Sequence, residues 1–551
     1  MGGRTMRSAL SSSLVLAGGI VALAVNFWSQ AGAAQTRAAS QPAALFQSST
    51  QCMACHNGLV SASGEDVSIG TTWRSSMMAH SAVDPYWHAG VRREIMDHPA
   101  EQAAIENECS RCHMPMAHVQ AQSQGRPMRV FENVPGADRP EPLAVKGVSC
   151  TVCHQITPDG FGQRSSFNGG FTVDTKTVAE PRRIFGPYDV DKGRSAVMRS
   201  ATGFEQTEAT HVQQSELCAT CHTLYTHAVA PEKKTSGEFP EQMPYREWLQ
   251  SDFKATKSCQ SCHMRVVEQP MPITSVIGEP REGLSRHDFV GANFFMLSLL
   301  NRFRAELGVV ARPAELDAAV LRTKAFLQTE AATLDVTEAR QADQSVEAEI
   351  LVRNLAGHKL PSGYPSRRTW LEVVVKDANG RVWFASGGFE PTGAIVGNDN
   401  DRDAASYEPH YREIRSADQV QIYEAIMGTG SGRVTTGLLS AEVYLKDNRL
   451  LPRGFDKRVA PGDVAVRGAA IDDPDFTGGE DRVRYVVDVA GAQGPLTVEA
   501  QLWYQPIAFR WAENLRQYAA PEPTRFVRYY EAMAPASATV LARSMRPVAG
   551  R

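Results

Sequence analysis

The sequence predicts a mixed α+β fold, and three observations lead to this prediction. Five copies of one cysteine-histidine pentapeptide occupy the first half of the chain, among short helices and irregular loops. Apolar residues at helical spacing follow between 291 and 332, and alternating apolar and polar residues dominate from residue 335 onward. We therefore expect a leader at 1–34, a mostly helical and irregular cysteine-rich domain at 35–290, a helical hairpin at 291–334 and a β-sandwich-like domain with terminal helices at 335–551.

The pentapeptide Cys-x-x-Cys-His accounts for all ten cysteines of the protein. Its two thiols lie about one helical turn apart, so both can form thioether bonds to the vinyl groups of one haem. The histidine that follows then supplies an imidazole to the iron. Disulfides, redox dithiols and zinc sites are the alternatives, but none of them requires a histidine after every second cysteine.

We therefore predict five covalently bound haem c groups. The attached cysteines are Cys52 and Cys55 (motif one), Cys109 and Cys112 (motif two), Cys150 and Cys153 (motif three), Cys218 and Cys221 (motif four), and Cys259 and Cys262 (motif five). The proximal ligands are His56, His113, His154, His222 and His263.

The spacing of the motifs suggests an internal repeat. Their first cysteines are 57, 41, 68 and 41 residues apart, and the repeated 41 predicts that motifs two and three, and motifs four and five, form two similar haem pairs. The connecting segments, such as 124–140 and 158–170, contain few aliphatic residues. The haems themselves are expected to form the core of this part of the chain.

Nine further histidines are candidates for the sixth iron ligands. Imidazole is a preferred ligand of iron. Five of the nine lie near a motif or where the haem region ends, and the sixth candidate lies in a tight turn between strands that could reach into the haem region. The candidates are His80, His118, His211, His227, His287 and His358. His88, His98 and His410 are expected to be ordinary surface residues. Methionine is the other known ligand, but Met77, Met78, Met114, Met116 and Met264 are expected to pack against porphyrin instead.

The N-terminus has the features of a secretory signal peptide. Arg4 and Arg7 precede an apolar run at 14–25, and Ala31-Gly32-Ala33 forms a small-residue cleavage site. An uncleaved anchor remains the alternative, although the apolar run is short for a spanning helix. We expect a periplasmic or extracellular protein. The formal net charge of -4 gives no reason to expect a nucleic-acid partner.

The second half of the chain contains a helical hairpin and then strands. Gly308 is expected to end the first helix and Pro313 to begin the second. Residues 346–352 alternate as a half-buried strand, and Asp377-Ala-Asn379-Gly380 predicts a β-hairpin turn. Repeated strands with Gly and Pro turns predict a β-sandwich.

One acidic segment, Asp399-Asn-Asp401-Arg-Asp403, resembles the start of a calcium loop. Its sixth position is Ala404 rather than glycine, which excludes a helix-loop-helix calcium site. A looser calcium site remains an alternative to a solvated loop.

Several segments resemble a known family. Gly147-Val-Ser-Cys-Thr-Val-Cys-His-Gln155, Leu217-Cys-Ala-Thr-Cys-His-Thr-Leu224 and Ser258-Cys-Gln-Ser-Cys-His-Met264 are similar to the multihaem cytochromes c related to the nitrifiers' tetrahaem electron carrier. That superfamily also includes hydroxylamine oxidoreductase and the pentahaem nitrite reductases. The resemblance covers 52–289, while 354–363 and 446–455 resemble the β-rich C-terminal half of large secreted multihaem cytochromes.

The resemblance implies electron transfer between closely packed, mostly bis-histidine haems. The chain also departs from the family's enzymes. Pentahaem nitrite reductases carry one Cys-x-x-Cys-Lys haem, whereas all five motifs here end in histidine. No equivalent of the cross-linking tyrosine of hydroxylamine oxidoreductase is identified, and the β-rich domain has no place in either enzyme pattern.

The sequence therefore favours a secreted electron carrier with redox proteins as donor and acceptor, acting in a membrane-bound or extracellular complex. No catalytic residue is predicted. One alternative is an oxidoreductase that acts on a small nitrogen or sulfur species at one open haem, and another is a self-associating subunit of an extracellular cytochrome filament or complex. Lys359, Arg367 and Arg368, near His358, are candidate partners of haem propionates, with a solvated basic turn as the alternative.

Overall fold

The computed structural model describes residues 44–175, 181–229 and 235–550, so the predicted signal peptide at 1–34 lies outside the described residues. Helices predominate before residue 331 and strands after it, which confirms the predicted α+β class. The residues from Ala44 onward pack as one unit. The domain boundaries at 290 and 334 therefore remain predictions.

Short helices carry the first part of the chain. They are α1 (Ser49–Met53), α2 (Ile69–Arg74), α3 (Pro85–Asp97), α4 (Gln102–His113), α5 (Pro115–Ser123), α6 (Cys150–Cys153), α7 (Lys192–Thr202), α8 (Ser215–His222), α9 (Pro244–Trp248) and α10 (Cys259–His263). Two small sheets accompany them: β1 (Arg182–Gly186) parallel to β2 (Phe204–Glu208), and β3 (Leu224–Val229) antiparallel to β4 (Thr235–Gln242).

Helix α3 shows how local sequence fixes an element. The Asp84 carboxylate accepts hydrogen bonds from the backbone N–H groups of Tyr86 and Trp87, and Pro85 occupies the first helical position. The helix ends at Asp97, before His98-Pro99, because a residue that precedes proline is disfavoured in the α conformation.

The helical hairpin lies between the haem motifs and the sheets. It comprises α11 (Phe294–Arg302), α12 (Arg304–Leu307) and α13 (Pro313–Glu330). Gly308 ends α12 with a φ of 65°, in the left-handed region that glycine tolerates. At the start of α13 the Glu315 carboxylate accepts a hydrogen bond from the N–H of Arg312, which is one half of a capping box.

Two sheets form the C-terminal part. The strands are β5 (Ala332–Ala342), β6 (Ser345–Asn354), β7 (Arg368–Asp377), β8 (Val382–Ser386), β9 (Glu413–Ile414), β10 (Ile422–Gly428), β11 (Val434–Thr435), β12 (Val443–Asp447), β13 (Glu480–Asp488), β14 (Leu496–Gln505) and β15 (Thr539–Pro547). The larger sheet has the order β11-β10-β7-β14-β15, with β12 beside β10 and β8 beside β7, and the smaller has the order β5-β6-β13-β9. The short helices here are α14 (Asp399–Arg402), α15 (Phe509–Glu513) and α16 (Pro521–Met533).

The inner faces of the two sheets share one hydrophobic core. Alternate residues such as Ile350 and Tyr485 from the smaller sheet and Val373 and Leu502 from the larger are buried together, as in a sandwich. Phe239, from the first part of the chain, joins the same core. The haem-motif part is therefore packed firmly against the sandwich. No helix among the described residues is long and apolar enough to cross a membrane.

Candidate haem-binding site

Each Cys-x-x-Cys-His motif lies in or at the end of a short helix, namely α1, α4, α6, α8 or α10. The helical turn brings the two thiols of a motif to the same side, as thioether attachment requires. All ten cysteines and all five motif histidines line one continuous cavity of about 1710 Å³. None of the ten thiols forms a disulfide. The residues therefore fit the attachment of several haem groups.

The motifs contact one another in a pattern that their spacing predicted for motifs four and five only. The thiols of Cys52 and Cys150 are in contact, and so are those of Cys218 and Cys259. Motif one thus pairs with motif three, and motif four with motif five, so the predicted pairing of motifs two and three is wrong. Spacing along the chain does not determine which helices pack, because the longer connections fold back.

In each observed pair, a serine of one motif forms a hydrogen bond with a cysteine of the other. Ser49 Oγ accepts a hydrogen bond from the N–H of Cys150 at 3.2 Å, and Ser215 Oγ accepts one from the N–H of Cys259 at 3.1 Å. Each serine stands three residues before the first cysteine of its own motif. The pattern Ser-x-x-Cys-x-x-Cys-His in motifs one and four was the sequence feature that could have revealed the pairing.

Motif two is connected through motif four, since the thiol of Cys112 contacts that of Cys221. Cys153 of motif three also lies within electrostatic range of Cys221. The five motifs therefore form a connected series in the order one, three, four and five, with motif two branching from motif four.

Four of the five motif histidines have a fixed ring orientation. Their Nδ1 atoms lie at hydrogen-bond distance from backbone carbonyl oxygens: His56 with Ile273 at 2.7 Å, His113 with Ser81 at 3.0 Å, His154 with Phe185 at 2.6 Å and His263 with Val290 at 2.6 Å. A carbonyl accepts only from N–H, so the proton is assigned to Nδ1 and the lone pair of Nε2 is free for a metal. Burial also lowers the pKa of His113 and of His263 to about 4, which keeps both imidazoles neutral at pH 7.

Two candidate sixth ligands face a motif histidine. The rings of His154 and His287 are nearly parallel, with centroids 6.3 Å apart and planes 15° from parallel. Those of His263 and His358 are 6.2 Å apart and 9° from parallel. An iron bound by two imidazole nitrogens at about 2 Å each holds the ring centroids about 6 Å apart.

The outer nitrogens of these two candidates are also fixed. His287 Nδ1 lies 2.9 Å from the carbonyl oxygen of Ser285, and His358 Nδ1 lies 2.9 Å from that of Lys359. As with the motif histidines, this arrangement leaves the lone pair of Nε2 free for a metal.

His80 and His118 lie in different surroundings. His80 is buried, its Nδ1 is 2.8 Å from the carbonyl oxygen of Ser76, and its Nε2 has no hydrogen-bond partner among the described residues. His118 Nδ1 is 2.9 Å from Ser110 Oγ, and burial lowers the pKa of His118 to about 4. An unpartnered buried nitrogen is costly unless it binds something, which makes His80 chemically suited to a metal.

The remaining two candidates have nitrogen atoms with protein partners. His211 Nε2 lies 2.8 Å from the carbonyl oxygen of Ile156, and its ring meets Phe185 edge to face. His227 lies on β3 with 55% of its side chain exposed, and its Nε2 is 3.6 Å from the Glu238 carboxylate.

Two of the three histidines predicted to be on the surface are buried, so that prediction is wrong for them. His88 is fully buried and its Nε2 lies 3.0 Å from the carbonyl oxygen of Ala82, because the C-terminal helix α16 packs against α3. His410 is buried within the sandwich. His98 is half-buried, with Nε2 3.4 Å from Ser440 Oγ.

His410 belongs to a buried cluster that could be mistaken for a metal site. Its Nε2 lies 3.0 Å from an Asp473 oxygen and 3.9 Å from an Asp481 oxygen. Its Nδ1, however, lies 2.9 Å from the amide nitrogen of Gln421 and 3.1 Å from that of Asn448.

These amide orientations are fixed by the backbone, because Gln421 Oε1 accepts a hydrogen bond from the N–H of Tyr411 and Asn448 Oδ1 accepts one from the N–H of Glu424. His410 Nδ1 is therefore an acceptor, so the proton is on Nε2 and is donated to Asp473. This tautomer has no lone pair directed at the carboxylates, and the cluster serves the packing of the sandwich.

The predicted calcium segment uses its carboxylates elsewhere. Asp401 is buried against Arg368, Asp399 pairs with Arg402, and Asp403 accepts a hydrogen bond from the N–H of Ala405. The three side chains therefore have separate partners, and their carboxylates do not come together around one position.

The predicted propionate partners are not equivalent. Arg368 pairs with Asp401, and Lys359 pairs with Asp447 at 2.6 Å; both are fully buried, so neither is available to a haem. The prediction is wrong for these two residues. Arg367 lines the cavity and remains available.

No protein-family model matches the chain, and no curated protein matches it either. A penta-heme cytochrome c552 from Thermochromatium tepidum has a similar solved structure, with a TM-score of 0.52 and 15% sequence identity. The similarity covers 92% of this chain and 100% of that chain. It extends across both the haem-motif part and the sandwich, and at this identity it shows a shared fold.

Proposed function

We propose that the chain is a secreted pentahaem c-type cytochrome that carries electrons between redox proteins. The observation that supports it most strongly is the lining of one cavity by all five Cys-x-x-Cys-His motifs. A solved structure with the same fold, in which the cytochrome is described as penta-heme, adds independent support. When bound, the haems would supply one-electron redox chemistry.

The contacts between motifs favour a continuous path for electrons. Motif one contacts three, motif three approaches four, and motif four contacts both five and two. Each link joins cysteines that attach different haems, so neighbouring macrocycles would lie close together. Motif four stands at the junction of this path.

For the sixth ligands we propose His287 opposite His154 and His358 opposite His263, on the basis of the distances between the centroids of these ring pairs. His80 is proposed as a further ligand because its Nε2 is buried and unpartnered. His118 stays a candidate with its Nδ1 oriented by Ser110. His211 and His227 stay candidates outside this set, because a carbonyl leaves only Nδ1 of His211 free and His227 is exposed.

These residues would set the reduction potentials of the haems, because they orient the axial ligands and exclude water. Backbone carbonyls hold the imidazole rings, and a second imidazole gives a lower reduction potential than a methionine would. The sandwich contributes directly, since His358 lies in the loop between β6 and β7.

Coulometric titration of the purified protein tests this function. An electron carrier should take up about five electrons per chain, one for each haem, and return them to an oxidised soluble cytochrome without any small substrate. A catalytic current that appears only on addition of nitrite, hydroxylamine or sulfite would favour the oxidoreductase alternative instead.

A further inference from the structure

One wall of the cavity carries a half-buried arginine with no carboxylate partner among the described residues. Arg367 lies between β6 and β7 and lines the cavity. Its Nη1 donates to the carbonyl oxygen of Ser362 at 2.6 Å, and its Nη2 donates to Asn293 Oδ1 at 3.2 Å. Both acceptors are neutral, so the positive charge is not compensated.

Other buried arginines of this part of the molecule are paired. Arg368 donates to Asp401 at 2.8 Å, and Arg449 pairs with Asp447 and with Glu247. Removing a charge from water is expensive unless an opposite charge accompanies it. Arg367, in contrast, is half-buried at the wall of a large cavity, so its guanidinium is available to bind an anion there.

A buried hydroxyl group provides a second, independent observation. Tyr504, at the end of β14, is 1% exposed and lines the same cavity, and its Oη has no hydrogen-bond partner among the described residues. Burial raises the pKa of Tyr504 to about 12 and Arg367 opposes that rise, so the two groups lie within electrostatic range. A tyrosine hydroxyl at this pKa is a hydrogen-bond donor at neutral pH.

The backbone is shaped to hold the arginine. Gly363 has a φ of +83°, and a Cβ atom at this position would lie 3.0 Å from Arg367 Nη1. Glycine therefore both permits the turn and leaves room for the guanidinium. The antiparallel pairing of β7 with β14 places Tyr504 opposite Thr369, two residues after Arg367.

We propose that Arg367 and Tyr504 form an oxyanion-binding site in the wall of the cavity. The guanidinium supplies charge-assisted hydrogen bonds and the tyrosine supplies a neutral donor, which together suit a carboxylate or a small oxyanion. Two sources share this chemistry: a propionate of a bound haem, and a diffusible oxyanion such as nitrite or sulfite. The inference rests on the proposed function, because the cavity must hold haem.

The test uses Arg367→Gln and Tyr504→Phe in the full haem-loaded protein. Arg415→Gln is the matched control, since it removes the same charge from a side chain that is 63% exposed and does not line the cavity. Haem content is measured first for every variant by intact mass. Fewer than five haems in the unaltered protein would overturn the proposed function without addressing the oxyanion site.

Two measurements then distinguish the sources of the anion. One is a potentiometric titration of all the haems, and the other is an absorption and EPR titration of the oxidised protein with sodium nitrite and with sodium sulfite. If a propionate is bound, Arg367→Gln lowers the potential of one haem, because a nearby positive charge favours the reduced form, and the added anions change nothing in the unaltered protein.

If a diffusible oxyanion is bound, nitrite or sulfite perturbs the spectrum of the unaltered protein, and Arg367→Gln weakens this response at least tenfold. Tyr504→Phe keeps the aromatic ring and should change the haem potential or the anion response in the same direction as Arg367→Gln. The proposal can therefore be tested even if the arginine variant does not fold. The proposal is overturned if the variants match Arg415→Gln in every haem potential and no oxyanion response is seen.

Discussion

The imidazole rings of His263 and His358 face each other with centroids 6.2 Å apart and planes 9° from parallel. His263 closes motif five, whereas His358 belongs to the loop between two strands of the sandwich. The sandwich is therefore part of the candidate haem site as well as its support. This relationship leads to the first prediction.

Replacing His358 with alanine should open one iron. The haem of motif five would lose its sixth ligand and change from low spin to high spin. Low-temperature EPR of the oxidised variant should show a high-spin component of about one haem in five, and the reduced variant should bind carbon monoxide. His98→Ala is the control, and an unchanged low-spin spectrum for His358→Ala would exclude His358 as a ligand.

Loss of Glu247 should destabilise the protein strongly. Its carboxylate, on α9, lies 3.0 Å from Arg449 Nη1 and accepts hydrogen bonds from the N–H of Lys359 at 3.1 Å and from Ser362 Oγ at 2.6 Å. All of these groups are buried. Glu247→Ala leaves two buried cations, Lys359 and Arg449, with only the Asp447 carboxylate between them, so we expect a loss of about 3–5 kcal/mol.

Denaturant titration measures this loss. Asp456→Ala is the control, because its partner Arg458 is 83% exposed and such surface pairs contribute about 1 kcal/mol or less. Equal losses for the two variants would show that the buried network does not join the haem-motif part to the sandwich.

The serines of the paired motifs should each make a modest contribution. Ser49→Ala and Ser215→Ala each remove the acceptor of a cysteine N–H, and we expect each to lower the free energy of unfolding by about 1 kcal/mol. Ser123→Ala, at an exposed site on α5, should change it little. A loss for Ser123→Ala as large as for the other two would remove the special role of Ser49 and Ser215.

Stability should depend on pH through Glu241. Burial raises the pKa of Glu241 from an ordinary value of 4.5 to about 7, although bonds from Thr226 and Gln242 oppose the rise. A carboxyl whose pKa is raised in the folded state stabilises it below pH 4.5, and this stability is lost as the pH rises to about 7. The shift corresponds to a loss on the order of 3 kcal/mol.

Glu241→Gln should therefore be more stable than the unaltered protein at pH 8 and should lose this part of the pH dependence. Unfolding by guanidinium at pH 5 and pH 8 measures the difference. Glu238→Gln, on the same strand with 43% of its side chain exposed, should leave the pH dependence in place. If the free energy of unfolding fell more between pH 5 and pH 8 for Glu241→Gln than for the unaltered protein, the assigned direction of the pKa shift would be contradicted.

The sequence predicted the local features well. The α+β class is confirmed, and the stop at Gly308, the helix start at Pro313 and the turn at Asn379-Gly380 all occur. These elements depend on capping, backbone conformation and periodicity, which are properties of neighbouring residues.

The features that depend on distant packing were less predictable. His88 is buried because the last helix of the chain covers α3, and Arg368 is unavailable because Asp401 reaches it from another loop. Neither contact has a signature in the local sequence. The pairing of motifs one and three likewise depends on a fold-back that the spacing does not show, although the serine pattern accompanies it.

Intact mass of the purified mature protein, combined with pyridine haemochrome quantification, tests the central claim most directly. The account predicts five covalently attached haem c groups per chain and no thiol accessible to alkylation after unfolding. A chain that carries fewer than five, with the remaining cysteines alkylated or joined in disulfides, would contradict it.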